Sequence, residues 1–241
     1  MAEPGWDRVR VVACDIFGTT VDWYSGVATQ IGEVFGELGI AVEAGLFASR
    51  WRDEYVPSMQ RVHRGERGWA NLDELHRESL DGLLRQHGVG EAVDEASRIR
   101  MVHAWHRLPA WDDSVAGLGR LRTRFVTATL SNGGFALLTN LVKAAGLPFD
   151  CIVSAELFHA YKPDPRVYRG AAELLDVAPD QIVLVAAHAR DLAGAAAAGL
   201  RTAFLERPRE KGPHGEADRA ADVTSDCTAT SFVELADRLG C

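Results

Sequence analysis

Short apolar runs that stop abruptly at glycine or at polar residues constrain this chain more than any other feature. The first is Arg8–Phe17 (RVRVVACDIF), which closes at Gly18. Comparable runs recur at Phe125–Leu130, Cys151–Ser154, Ile182–Ala187 and Arg201–Leu205. Short runs in which apolar residues follow one another, rather than alternating with polar ones, are the mark of strands buried on both faces. Helical patterns separate the later runs, at Ser114–Arg122, Phe135–Ala145, Pro165–Asp176 and Asp191–Ala198. Ser231 with Glu234 makes a capping box for a last helix ending near Leu239. Alternating strand and helix predict an α/β fold built on a doubly wound parallel sheet.

The stretch from Ser25 to Trp105 breaks this rhythm. Apolar residues there keep helical spacing (Val27, Ile31, Val34, Phe35, Leu38; then Leu72, Leu75, Leu80, Leu83, Leu84) and no strand is evident. Placed after the first strand, it predicts a helical cap domain over residues 23–105, inserted into a core of residues 1–22 and 106–241. The segment Glu206–Asp222 is rich in proline, glycine and charge and reads as a surface loop.

At 241 residues there is room for one large core, or one core with a smaller appended domain. A net charge of -8 with no basic stripe disfavours nucleic acid as a partner. No run of about 18 apolar residues predicts a membrane span. Met1 to Arg10 alternates polar and apolar residues, without the apolar centre of a signal peptide. Cys14, Cys151, Cys227 and Cys241 show no metal spacing, and the first two sit in strand-like runs, which reads as reduced and buried. A cytoplasmic location is expected.

Ligands of doubly wound sheets bind beyond the carboxyl ends of the strands. The polar residues just past the runs are therefore the candidates: Asp15-Ile-Phe-Gly-Thr19, Ser131-Asn132-Gly133-Gly134, Tyr161-Lys162-Pro-Asp, and Ala186-Ala-His188-Ala-Arg190-Asp191. Taken singly each has a plain explanation. Asp15 would be a turn or helix cap, Lys162 a solvated lysine, His188 a packed core histidine, and Asp191 a helix N-cap. Their joint occurrence at one edge of one sheet argues for chemistry.

In this order the residues resemble the haloacid dehalogenase superfamily, whose pattern is a nucleophilic Asp in a DxxxT motif (Asp15, Thr19), then a Ser/Thr (Ser131), a Lys (Lys162) and a terminal acid (Asp191). The resemblance implies a Rossmannoid core with a cap, and an aspartyl ester formed on Asp15. Most members transfer phosphoryl groups, and two departures count against that here. Phe17 stands where a phosphatase has its general acid, and an aromatic ring cannot protonate an alkoxide. Ala187 replaces the first acid of the terminal motif, which would hold Mg²⁺.

The same residues resemble the 2-haloacid dehalogenase (type II) branch, along with Leu130-Ser131-Asn132-Gly133, Tyr161-Lys162-Pro163-Asp164 followed by Tyr168, and the cap segment Arg50–Tyr55. This implies a short 2-haloalkanoate as substrate, a homodimer, and no metal or other cofactor. In that reading Asp15 attacks carbon, with Lys162 and Thr19 holding it. Ser131 and the backbone N–H groups of Ile16 and Phe17 take the substrate carboxylate, Tyr168 stands on the substrate side, and Asp191 orients water. Arg52 and Asn132 receive the halide; outside this resemblance Arg52 would read as a surface arginine. His188 stands where many type II enzymes carry asparagine, and Arg190 where they carry tryptophan. An imidazole there suggests a donor to a leaving halide, fluoride included, or to water. A small-molecule phosphatase, a binding protein on a retired scaffold, and a hydrolase opening another alkyl electrophile by the same mechanism are the alternatives.

Overall fold

The computed structural model describes residues 5–241, apart from the side chain of His214; the first four residues of the N-terminal stretch considered above lie outside them. Strands β1 (Val11–Cys14), β2 (Val126–Ser131), β3 (Cys151–Ser154), β4 (Ile182–Ala186), β5 (Arg201–Leu205) and β6 (Cys227–Ala229) form one sheet in the order β3-β2-β1-β4-β5-β6. All pairings are parallel. β1 pairs with β2 on one side and β4 on the other, so its carboxyl end opens where the strand order diverges, the point at which such sheets bind ligands. Every residue of β1 is buried, as its unbroken apolar run requires.

The first apolar run outlasts its strand. The ladder ends at Cys14, and Ile16 and Phe17 are apolar because they are buried beneath the inserted helices. β6 was not foreseen: at three residues it is too short to show a period. It is pinned to β5 by Asp226, whose Oδ2 accepts the N–H of Thr202 at 2.8 Å.

Helices α1 (Trp23–Glu37), α2 (Ala44–Asp53), α3 (Tyr55–His63), α4 (Leu72–Gln86) and α5 (Glu95–Val102) lie between β1 and β2, with no strand among them. Asp22 and Asn71 cap α1 and α4 by accepting the N–H groups of Ser25 and Glu74 at 3.0 and 3.1 Å. The apolar stripes of α1 and α4 are buried as their spacing predicts, except Leu38, which is exposed. Trp23, Trp51 and Trp105 are fully buried among them.

Helices α6 (Ser114–Leu121), α7 (Phe135–Ala144), α8 (Pro165–Leu174), α9 (Ala189–Ala197) and α10 (Phe232–Arg238) complete the molecule. Ser231 Oγ accepts the Glu234 N–H at 3.0 Å, but the Glu234 carboxylate returns to the N–H of Thr230, so the reciprocal half of the box falls one residue upstream. α9 begins two residues before Asp191, with His188 at the N-cap position, so Asp191 is no cap and its carboxylate is free for other work.

The segment 206–222 corrects its composition. Arg207 and Glu210 are buried within it, at 8% and 1% exposure. Arg207 holds Asp113 through two bonds of 2.8 and 3.0 Å and donates from Nε to the carbonyl of Thr19. The segment is a strap laid over the carboxyl edge of the sheet. Cys14 is buried, Cys151 only half so, and both are free thiols. Among the described residues no helix is long and apolar enough to cross a membrane.

Candidate active site

Asp15 is the first residue past β1, held by its N–H on the carbonyl of Val185 at 2.9 Å. The chain then turns at Gly18, whose φ of +88 favours glycine, and brings Thr19 back under the carboxylate. Thr19 Oγ1 accepts the Ala187 N–H at 2.9 Å, which leaves its own proton for Asp15 Oδ2, also at 2.9 Å. His188 Nδ1 lies 3.2 Å from that same oxygen, while Lys162 Nζ donates to Oδ1 at 2.9 Å. Burial alone would raise the Asp15 pKa. The Lys162 charge, with His188, overrides it and holds the carboxyl well below the usual carboxylate range. Asp15 is thus buried and ionised, the state in which a carboxylate is a nucleophile.

Lys162, with its side chain 5% exposed, spends three donors: on Asp15, on the carbonyl of Leu130 (2.7 Å) and on Asp191 Oδ2 (2.5 Å). Burial opposes its charge, but the two carboxylates outweigh burial and raise its pKa. Burial raises the pKa of Asp191 more than Lys162 lowers it, and the nearby Asp15 charge adds to the rise. A carboxylate of raised pKa is the better proton acceptor of the two.

Tyr168 was expected on the substrate side and is not there. Its ring is wholly buried, and its hydroxyl donates to Asp191 Oδ1 at 2.7 Å. It orients the carboxylate from behind. Tyr168→Phe should leave a buried oxygen short of a donor and cost about 1–3 kcal/mol of stability. Denaturant melts would measure this, and kinetics should show kcat lowered with KM unmoved; a raised KM alone would restore Tyr168 to the substrate.

The cleft above these groups encloses about 900 Å³ and is lined by Asp15, Phe17, Arg52, Asn132, Lys162 and Asp191, among others. α2 delivers Arg52 into an aromatic box, with its guanidinium carbon 4.0 Å from the ring centre of Tyr55, 5.4 Å from Trp23 and 5.8 Å from Phe17. Its Nη1 is buried and has no hydrogen-bond partner among the described residues. A buried, unpaired cationic donor is costly unless an anion visits it. Asn132 Oδ1 is fixed by the Lys162 N–H at 2.7 Å, while its Nδ2 rests on Met59 Sδ at 3.4 Å, a weak acceptor readily exchanged for a better one.

Ser131 and Ile16 are fully buried, and neither side chain reaches the cleft. Ser131 Oγ accepts the Gly133 N–H at 3.2 Å and so shapes the loop after β2. Of the expected site, Asp15, Phe17, Arg52, Asn132, Lys162, His188 and Asp191 meet at the cleft, while Thr19, Tyr168, Ser131 and Ile16 support it from below.

Glu210 was missed, and the strap carries it in. Its Oε1 accepts from His188 Nε2 at 2.8 Å and from Trp23 Nε1 at 3.4 Å. Burial opposes the imidazolium of His188, but Glu210 and Asp15 push its pKa up to about 10. In return His188 outweighs burial and lowers the pKa of Glu210. The idea that His188 donates to a departing halide therefore fails on geometry. In-line displacement puts the leaving group opposite the attacking oxygen, and both ring nitrogens are already committed to carboxylates. Arg190 stands exposed at the rim.

The Mg²⁺ of phosphoryl-transferring relatives does not fit this donor set. Lys162 Nζ already engages Asp15 Oδ1 and Asp191 Oδ2, two of the carboxylate oxygens that such an ion would need as ligands. The side chains of Phe17 and Ala187 bring no carboxylate oxygen to replace what is lost.

A family model for haloacid dehalogenase-like hydrolases matches residues 9–199, and the chain belongs to that family. It is 34% identical to (S)-2-haloacid dehalogenase 1 of Pseudomonas sp. (strain CBS-3) over 205 residues, 83% of this chain and 86% of that relative. The crystal structure of a defluorinating L-2-haloacid dehalogenase superposes with a TM-score of 0.93 at 40% identity, over 97% of this chain and 96% of the other. A second L-2-haloacid dehalogenase structure gives a TM-score of 0.91 at 43% identity, over 96% and 98%.

Proposed function

We propose that this protein is a hydrolase of carbon–halogen bonds, converting short 2-haloalkanoic acids to 2-hydroxy acids through an ester on Asp15. One observation carries the reading: Arg52, whose buried Nη1 is unpaired among the described residues, lines the same cleft as the buried, ionised Asp15. Asp15 attacks the carbon bearing halogen, and halide leaves on the far side toward Arg52 and Asn132, where developing negative charge gains most from a preorganised donor. The N–H groups of Ile16 and Phe17 hold the substrate carboxylate. Water, deprotonated by Asp191, then hydrolyses the ester. Back-side attack inverts the carbon.

The similarity to enzymes named for (S)- and L-2-haloacids supports preference for that enantiomer, and the defluorinating relative supports fluoroacetate as a substrate. Residues 23–105 act as the cap that excludes water. The net charge of -8 and the free cysteines fit a cytoplasmic enzyme without nucleic-acid partners. The family resemblance supports a homodimer, which light scattering would test.

The deciding experiment is halide release from chloroacetate and from each enantiomer of 2-chloropropionate, with chelator present. Undiminished release, matched by 2-hydroxy acid of inverted configuration, is expected. Chelator-sensitive phosphate release from an aryl phosphate, without halide release, would sink the proposal. Because His188 sits on the nucleophile's side, His188→Asn should leave the ratio of first-turnover fluoride to chloride release from the two haloacetates unchanged. A selective loss of fluoride release would return His188 to the leaving group.

A further inference from the structure

Glu210 lies beyond residue 199, where the family match ends, yet it reaches the centre of the site. Its delivery is built into the fold. Arg207 anchors the strap on Asp113 and on the Thr19 carbonyl, and Asp218 accepts the Ala189 N–H at 2.7 Å. Gly18 leaves the space, since a Cβ there would run into the Glu210 carboxylate.

His188 is held between two carboxylates, with Nδ1 facing Asp15 Oδ2 and Nε2 facing Glu210 Oε1. A ring that meets an acceptor at each nitrogen carries a proton on each. The donors on Asp15 are unevenly shared: Oδ2 receives Thr19 and His188, Oδ1 only Lys162. A carboxylate oxygen has about two lone-pair directions. Oδ1 therefore has one to spare and is the attacking atom, and Oδ2 becomes the carbonyl oxygen of the ester.

We propose that Glu210 is a positioning residue for ester hydrolysis, keeping His188 doubly protonated so that His188 Nδ1–H and Thr19 Oγ1–H stabilise the oxyanion forming on Asp15 Oδ2. The inference rests on the aspartyl-ester reading. Before attack, the Asp15 charge itself helps hold the imidazolium. Once the ester forms that charge is gone, and Glu210 alone retains the proton. Glu210 thus matters in the second step. There the water oxygen bonds to Asp15 Cγ and its proton passes by way of Asp191 to the leaving Oδ1. The Cγ–Oδ1 bond breaks with its electron pair on Oδ1, now the product hydroxyl, and Asp15 returns to a carboxylate as one proton goes to solvent. The charged groups facing the pair are Asp15 from the end of β1, with Lys162 and Asp191 beyond it, and Arg52 of the cap and Lys211 of the strap on the Glu210 side.

The test compares wild type, Glu210→Gln, His188→Asn and the double variant on 2-chloropropionate, by rapid-quench halide release and intact-protein mass during turnover. Glu210→Gln should release about one halide per site in a fast burst, then turn over about 10²-fold more slowly, on the scale of losing one oxyanion donor. The ester should accumulate. The alkaline limb of steady-state turnover should move to lower pH, toward the ordinary histidine range, because Glu210 raises the His188 pKa. His188→Asn should show the same burst, and the double variant no further loss. Equal slowing of both phases, or an unmoved alkaline limb, would mean that Glu210 only supports the fold and would overturn the inference. Absence of halide release in wild type would overturn the aspartyl-ester reading together with it, whereas a Glu210→Gln variant that turns over like a competent wild type would overturn the inference alone.

Discussion

Asp15→Asn should abolish halide release, by about 10⁴-fold or more, on the scale seen when a covalent nucleophile is removed. The residual rate on chloroacetate, in the same chelator-containing assay, checks this. The structure also predicts that the variant folds. Lys162 keeps Asp191 and the Leu130 carbonyl, and His188 keeps Glu210, so no buried cation loses its last partner. The loss of stability at neutral pH should stay near 1–2 kcal/mol, the scale of exchanged hydrogen bonds. The pH dependence has a definite sign. The folded-state pKa of Asp15 is depressed, so its contribution is present above its ordinary value of about 4 and is lost as pH falls through the depressed value. Asp15→Asn lacks that contribution, and its melting temperature should fall less steeply on acidification than that of wild type. Substantial turnover by a folded Asp15→Asn protein would remove Asp15 from the chemistry.

What the sequence revealed divides along a physical line. Asp15, Thr19, Lys162 and Asp191 were legible because each lies in a segment that leaves the carboxyl end of a strand, and a parallel sheet brings those ends to one edge. The helices between β1 and β2 were legible from helical spacing with no strand between. Direction was harder to read than position. Tyr168 lies on the expected helix, but its ring turns toward α9, where Gly194 admits it so closely that a Cβ would lie 2.8 Å from its hydroxyl. Ser131 follows the same rule, since a residue at a strand end faces either the cleft or the loop beneath it. Glu210 had no local signal. Its neighbours Arg209, Lys211 and Gly212 give the strap the composition of a solvated loop, and the anchors at Arg207 and Asp218 turn it inward. β6 was invisible for want of length.

Lys162→Met should be the most damaging substitution for both stability and activity, because Lys162 alone separates two buried carboxylates. Removing one partner of a buried ion pair typically costs about 3–5 kcal/mol, and here two carboxylates lose their shared counter-charge at once. Without the ammonium, Asp15 and Asp191 cannot both stay ionised, so one takes a proton. A protonated Asp15 is no nucleophile, and an Asp15 that stays charged faces its neighbour unshielded. Halide release should vanish. The acid limb of stability should also reverse. In wild type, Lys162 has a raised pKa, so its contribution is fully present below its ordinary value of about 10.4 and is lost only as pH rises beyond it. In Lys162→Met the shared carboxylates have raised folded-state values, so stability is lost as pH rises through them, and the variant should melt higher near pH 5 than at pH 7. Adding Asp191→Asn removes the repulsion and should recover part of the stability with none of the activity. If Lys162→Met melts as wild type does at both pH values, the lysine is not the counter-charge on which the site is built.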